Sequence, residues 1–361
     1  MRMIDYFDIG TPAVLIVSGQ MGISHGKTAY GLLRHSRVLK PVCVLDEFQA
    51  GKRSVDFVPD ARYDVPIVSS ISQAMEYEPK VAVIAVASVG GYLPDNVVKH
   101  VKEAIRNGLD IVSGLHRKIS EDPEFVELAR KSGSKLVDVR VPPKELRILD
   151  GSVLNRKAYV VDVLGTDCVI GKRTTAVQLR NEFERLGVKA GFIATGQTGI
   201  MIGADEGVVL DAVPADFVAG VMEGMIKKVD MMNKDIIFVE GQAAVLHPAY
   251  GHVTLGLLYG SMPDAVILVH DPFRERLSAF ENFEMIDWKQ EREILERLGK
   301  TKVIAISILN DEGVEIMRKE TDLPVGNPLT EEGLKVLSEA VKSAMRDGIR
   351  NENLEKLKKS C

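Results

Sequence analysis

The sequence predicts an α/β protein of two doubly wound, mainly parallel-sheet domains, the first Rossmann-like and the second of the P-loop NTPase kind. Its 361 residues allow two domains at roughly 150 residues each. Short β-branched runs alternate with helical stretches, halt at a proline pair, and then alternate again. A glycine-rich turn closing in Gly171-Lys172 follows the first strand of the second series and opens a helix.

In the first series, residues 13–17, 41–45, 81–87, 110–112 and 135–139 read as strands, and 26–35, 71–77, 95–107 and 122–132 as helices. The third helix carries Val97, Val98, Val101 and Ile105 at helical spacing, so one face packs on a sheet, and Asn107-Gly108 ends it. Val141-Pro142-Pro143 removes backbone donors and forces extended geometry, which places the boundary between 1–147 and 148–361. The second series has strands at 158–164, 190–194, 235–239, 265–269 and 303–308. The tail over 330–359 reads as a charged outer helix with a break at Gly348.

Composition narrows the function. A formal charge of −5, from 46 basic and 51 acidic residues without long blocks, disfavours a nucleic-acid partner. The longest apolar runs, such as 81–87, are far shorter than the roughly 20 residues of a membrane helix, and no leader-like segment precedes the first strand. Cys43, Cys168 and Cys361 are spaced too widely for a metal framework or a disulfide scaffold. A cytoplasmic protein with no membrane or nucleic-acid partner is expected.

The chemistry centres on Gly165-Thr166-Asp167-Cys168-Val169-Ile170-Gly171-Lys172-Arg173-Thr174. Such a turn aims backbone N–H groups and a helix N-terminus at an anion, and its lysine adds a point charge. Gly165, Thr166, Asp167, Gly171, Lys172, Arg173 and Thr174 are therefore the expected phosphate-binding residues, against the alternative of a purely structural turn. The loop has five residues between its glycines where four are usual, and Arg173 stands where a Mg²⁺-binding hydroxyl ordinarily follows the lysine. Thr174 is the nearest substitute as a metal ligand. A second stretch, Gly19-Gln20-Met21-Gly22 to Gly26-Lys27-Thr28, follows the first strand without regular spacing. It reads as a dinucleotide-type turn, either touching a phosphate through Lys27 or purely structural.

Glu240, ending the strand at 235–239, falls where α/β sheets hold their ligands, and it reads as a metal-binding, water-orienting or catalytic carboxylate, or else one held by backbone donors. Gly196, Gln197, Thr198 and Gly199 follow a strand as a loop suited to cradle a substrate carboxylate. The segment from Gln242 to Tyr250 adds two substrate-binding candidates and carries His247, either a general base or a structural hydrogen-bonder. Cys168 lies near a helix N-terminus that favours thiolate, but no histidine is adjacent in sequence and a small side chain also suits the turn. Cys43 reads as core, and Asn310 either contacts a base edge or caps the next helix.

These residues carry a resemblance. The stretches 165–175, 194–202, 211–217, 239–242 and 246–250 resemble the D-glutamate N-acetyltransferase-like family, long catalogued as a domain of unknown function. Membership implies a Rossmann-like domain joined to a P-loop domain, and acetyl transfer from acetyl-CoA to an amino acid nitrogen. More distantly, Gly165-Thr166-Asp167 with Gly171-Lys172 and Glu240 is similar to dethiobiotin synthetase, an ATP- and Mg²⁺-dependent enzyme whose lysine is followed by threonine; Arg173 departs from it. The first domain is similar, more weakly, to the CoA-binding domain of succinyl-CoA synthetase.

The leading reading is an N-acetyltransferase on a small amino acid such as D-glutamate, with His247 or Glu240 as the base and acetyl-CoA as donor. The alternative is an ATP- and Mg²⁺-dependent ligase or carboxylase acting on a carboxylate or amine substrate. A third is a non-catalytic nucleotide-binding regulator. A homo-oligomer is expected in each case.

Overall fold

A computed structural model describes residues 1–23, 26–86 and 93–360. The chain divides into two units, Met1–Val141 together with Gln197–Ala204, and Pro142–Gly196 together with the chain from Asp205 onward. The division falls between Val141 and Pro142, ahead of the boundary expected between 147 and 148, and eight residues of the later half count with the earlier unit.

In the first unit the described residues form one parallel sheet of β1 (Thr11–Ile16), β2 (Leu39–Leu45), β3 (Ile67–Val68), β4 (Val81–Ile84), β5 (Asp110–Ser113) and β6 (Leu136–Asp138), in the order 3-2-1-4-5-6. This is the dinucleotide-fold order. The helices are α1 (Lys27–His35), α2 (Ile71–Ala74), α3 (Asp95–Arg106) and α4 (Pro123–Ser132). α3 buries Val97, Val101 and Ile105 of the stripe its spacing implied, together with Ala104, while Val98 is half-buried. α4 begins with an Asp122 cap and Pro123, and ends at Gly133 with φ +78°. The helix expected over 71–77 is split, because α2 tightens into a 3₁₀ turn over Met75–Tyr77 that Glu78 closes in left-handed geometry.

The first glycine turn is held by its own protein. Gly19 and Gly22 have φ near +83° and +88°. Buried Asp46, just past β2, accepts Met21 N–H at 3.1 Å and Phe48 N–H at 3.1 Å. A carboxylate at this position reads ribose hydroxyls in dinucleotide folds; here it fixes the turn. Ser24 and His25 of that turn, Ala87 of the strand expected over 81–87, and Cys361 lie outside the described residues.

The second unit is built on β7 (Tyr159–Gly165), β8 (Ala190–Ala194), β9 (Glu206–Gly207), β10 (Ile236–Glu240), β11 (Ala265–Val269), β14 (Val303–Ser307) and β15 (Val325–Gly326). They form a parallel sheet in the order 15-14-11-7-10-8-9, beside an antiparallel pair of β12 (Arg276–Leu277) and β13 (Phe280–Glu284). Every residue of β7 is buried between β10 and β11, so the turn that follows it opens at the centre of the sheet's carboxyl edge. α5 (Lys172–Arg185), α7 (Val218–Asp230), α8 (Gly251–Ser261), α9 (Trp288–Gly299), α10 (Asp311–Met317), α11 (Glu331–Arg346) and α12 (Glu352–Ser360) complete the unit; α6 (Gln197–Met201) counts with the first. Asn310 caps α10, its side chain accepting Gly313 N–H at 2.6 Å, which decides between its two expected roles. The tail breaks at Gly348, φ +69°, between α11 and α12. Among the described residues no helix is long and apolar enough to cross a membrane.

The opposite, amino edge of this sheet is tied by a buried charge. Asp264 is fully buried, pairs with Arg156 and Arg350 at 3.1 Å each, and accepts Val160 N–H at 2.9 Å and Asn351 N–H at 3.1 Å. It joins the starts of β7 and β11 to the tail. Asp264→Ala leaves the buried Arg156 guanidinium without its anion, and should cost about 3–5 kcal/mol in denaturant unfolding.

Candidate active site

β7 delivers the chain to a turn that only glycine can make at two points. A Cβ on Gly165 would lie 2.8 Å from Val269 O, and one on Gly171 would lie 2.4 Å from Leu309 Cδ1 at a φ of +106°. Between them Val169 also adopts a positive φ of 55° and is half exposed. α5 starts at Lys172, whose side chain folds inward so that Nζ donates to the carbonyl of Asp167. Burial pushes that lysine down to about 8, opposed by the negative charges of Cys168, Asp167 and Glu240.

The Asp167 carboxylate organises the turn. It is fully buried and accepts Cys168 N–H at 2.6 Å, Ser278 N–H at 2.8 Å and Arg274 Nη1 at 2.7 Å. Arg274 also donates to the carbonyls of Cys168 at 2.8 Å and Val169 at 3.3 Å. Thr166 is buried with its hydroxyl 2.9 Å from His270 Nδ1. The side chains of Thr166 and Asp167, both expected among the phosphate ligands, are therefore committed within the protein.

Glu240 ends β10 with its side chain buried beneath the same edge. Its Oε2 accepts Thr195 N–H at 3.3 Å, and its carbonyl accepts the Thr195 hydroxyl at 2.7 Å. Gln242 Nε2 donates to Thr195 O at 2.9 Å and Oγ1 at 2.8 Å, so both residues hold the end of β8. Burial raises the Glu240 carboxyl, while Arg173, the N–H groups of Thr195 and Gly196, and Lys172 pull it back.

The loop after Gln242 is pinned by a residue outside it. Glu291 on α9 is fully buried and accepts Val245 N–H at 2.7 Å and Leu246 N–H at 3.1 Å; burial pushes its carboxyl up to about 7. That loop turns His247 inward, 2% exposed, stacked on Tyr250 with ring centres 5.0 Å apart and edge-on to Phe280 at 5.1 Å. Nδ1 accepts the N–H groups of Ala249 at 3.2 Å and Tyr250 at 3.3 Å. A nitrogen that accepts carries no proton, so in the neutral ring the hydrogen sits on Nε2. Nε2 is buried without a hydrogen-bond partner, 3.6 Å from Asp167 Oδ1. Burial lowers the ring's basicity, Asp167 opposes this, and Lys172 adds to it. His247, expected as a candidate base, is thus poised as a donor.

The structure gathers Gly165, Gly171, Lys172, Arg173, Gly196, Glu240, Gln242, His247 and Tyr250 at one edge of the second unit's sheet. It does not leave Gln197, Thr198 and Gly199 as an open cradle: they form α6, where Gln197 Oε1 accepts Arg140 Nη2 at 3.0 Å and the Thr198 hydroxyl meets that of Thr28 at 3.0 Å. The Gln197 and Thr198 side chains are thereby committed to neighbours, while the backbone N–H groups of these residues open the first turn of α6. Glu240, expected as a metal ligand, already has two cationic neighbours, Arg173 and Lys172, which disfavours a divalent cation there; Thr174, the other expected ligand, lies in the first turn of α5. Asp167, Cys168 and His247 present one atom each within 4.8 Å of one another, but His247 Nε2 bears hydrogen and Asp167 is paired with Arg274. Arg274, His270, Ser278 and Glu291 were not legible as site residues. Each acts across a long separation, and a lone Arg after a strand or a Glu in an amphipathic helix carries no spacing signal.

This geometry belongs to proteins that pair a Rossmann-like domain with a P-loop domain. Residues 147–337 match the P-loop domain of the domain-of-unknown-function family DUF1611, and 47–142 match its Rossmann-like N-terminal domain; the chain belongs to this family. It is 35% identical over 268 residues to a D-glutamate N-acetyltransferase of Tritonibacter scottomollicae, covering 72% of this chain and 79% of that protein. It is 38% identical over 201 residues to one from a Pseudoalteromonas species, covering 56% and 59%. A crystal structure of a DUF1611 family protein from Anabaena variabilis superposes with a TM-score of 0.85 at 31% identity, covering 92% of this chain and 100% of that one.

Two measurements check the site. Arg274→Ala strands the buried Asp167 carboxylate and should cost about 3 kcal/mol in urea unfolding, with Asp167→Asn in the same background restoring part of it. Lys172→Met should stabilise the ligand-free protein at pH 7 by on the order of 1–3 kcal/mol. The folded lysine binds its proton more weakly than the unfolded one, so wild-type stability rises with pH between about 8 and 10.5, and the advantage of Met fades across that window.

Proposed function

We propose that the protein is an N-acetyltransferase that moves the acetyl group of acetyl-CoA to the amine of a small amino acid such as D-glutamate. What carries this reading is the polarity of the site: the Nε2–H of His247 lies 3.6 Å from the Asp167 carboxylate, the Lys172 ammonium sits on the Asp167 carbonyl, and the Glu240 carboxylate is within electrostatic reach of that ammonium. Two donors suit a developing oxyanion, and a buried carboxylate with a raised pKa suits the loss of a proton from an attacking amine. The N–H groups of the turn and the start of α5 suit an anionic group of the coenzyme, with Arg173 as a further cation. The relatives named D-glutamate N-acetyltransferase support the acceptor class. Two cations at Glu240 favour this reading over a Mg²⁺-dependent ligase.

The test is coenzyme A release from acetyl-CoA across D- and L-amino acids. D-glutamate should be turned over, with kcat/KM rising as pH climbs past the usual carboxylate range, because Glu240 must be ionised to act and its burial raises that point. Glu240→Gln should lower kcat at least about 100-fold and abolish that rise. Silence with every amino acid would overturn the proposal.

A further inference from the structure

We infer that Cys168 is the covalent acyl acceptor of the reaction, so that transfer runs in two steps through a thioester on the turn. This deepens the N-acetyltransferase reading and rests on it. The thiol of Cys168 is half-buried inside the turn, and its Sγ lies within 4.8 Å of both a His247 ring nitrogen and an Asp167 carboxylate oxygen. The sequence gives the cysteine no adjacent histidine; the fold supplies one from the loop after β10. His247 is the independent sign of a ligand here. The residue is only 2% exposed, and its Nε2–H has no hydrogen-bond partner although burying a donor unpaired is costly. A group that appears only during reaction, the oxyanion of a tetrahedral thioester adduct, is what such a donor awaits.

The surroundings fit a nucleophile. Lys172 and Cys168 stabilise each other's charged forms, and the N–H of Cys168 is fixed by Asp167 Oδ1, which holds the residue's backbone in place. Arg274 also anchors the Cys168 and Val169 carbonyls, which ties the turn on both sides of the thiol to one guanidinium. In the first step the Cys168 thiolate adds to the acetyl carbonyl carbon, the C–Sγ bond forms, the C–S bond to the coenzyme breaks, and the coenzyme leaves as its thiolate. In the second, the acceptor nitrogen forms its bond to that carbon, the C–Sγ bond breaks, Sγ departs as thiolate, and the nitrogen's proton passes to Glu240. No oxidant or reductant is needed.

The experiment incubates the full-length protein with acetyl-CoA and no acceptor, quenches in acid, and maps the acetylated peptides by mass spectrometry. One acetyl group should sit on Cys168, be removed by neutral hydroxylamine, and be discharged by D-glutamate; Cys43, buried in β2, is the internal control. Initial rates should give the parallel lines of ping-pong kinetics, and Cys168→Ala should lower kcat at least about 100-fold. Cys168→Ser, which keeps the turn's size, should fold with unchanged stability yet stay equally impaired. If Cys168→Ala still releases coenzyme A with D-glutamate within about threefold of wild type, transfer is direct and this inference falls while the N-acetyltransferase reading stands. If none of the amino acids sustains multiple-turnover coenzyme A release by wild type, the N-acetyltransferase reading falls instead; if D-glutamate is turned over but no acetyl group is found on Cys168, this inference falls alone.

Discussion

The site depends on satisfying one carboxylate buried at the carboxyl edge of the sheet. Asp167 has no exposed surface, and its charge is met by Arg274 and by the N–H groups of Cys168 and Ser278. A buried carboxylate without such partners would protonate rather than persist. Because the partners come from the turn itself and from the segment around β12, satisfying the charge also fixes both segments. The direction of every other group follows: Lys172 can fold under the turn onto the Asp167 carbonyl, and His247 can bring Nε2 to 3.6 Å from the carboxylate.

That arrangement holds charges that the folded protein would be more stable without. Lys172 is driven down by burial, Glu240 up by burial, and His247 buries a donor without a hydrogen bond. Sites carry such groups because a ligand's charge compensates them on binding, which is where perturbed ionisation concentrates. The contrast with Asp264 at the opposite edge is instructive. There the buried charge is met on all sides by two arginines and two N–H groups, and it holds the tail in place.

The strands, the two sheets and the phosphate-type turn were legible because each is local: alternation of β-branched runs with helical stripes, proline at the join, glycine at two sterically forbidden points. What sequence could not show was allegiance. The run Gly196-Gln197-Thr198-Gly199 has the composition of a polar loop, yet Gln197 and Thr198 enter α6, whose contacts are with Arg140 and Thr28. The role of His247 was equally hidden, since the two backbone N–H groups that set its tautomer depend on how the loop folds back over the ring. Arg274 and Glu291 act at long range on loops, and no periodicity announces a residue whose task is to hold another residue's backbone.

The two units solve the same problem differently, and the difference locates the chemistry. Each has a glycine turn after its first strand, and each turn is held by a buried carboxylate accepting a backbone N–H. In the first unit that carboxylate, Asp46, comes from the end of the neighbouring strand and occupies the place where a dinucleotide fold would read a ribose. In the second, Asp167 belongs to the turn itself, so the end of the neighbouring β10 is free to carry Glu240, and the loop beyond it to carry His247. An internal staple thus leaves the strand ends around the turn available for reacting groups, whereas a staple borrowed from the next strand uses one up. A turn shaped to hold an anion serves acyl transfer on the same terms, because a tetrahedral oxyanion and a phosphate oxygen ask for the same inward N–H groups and nearby ammonium.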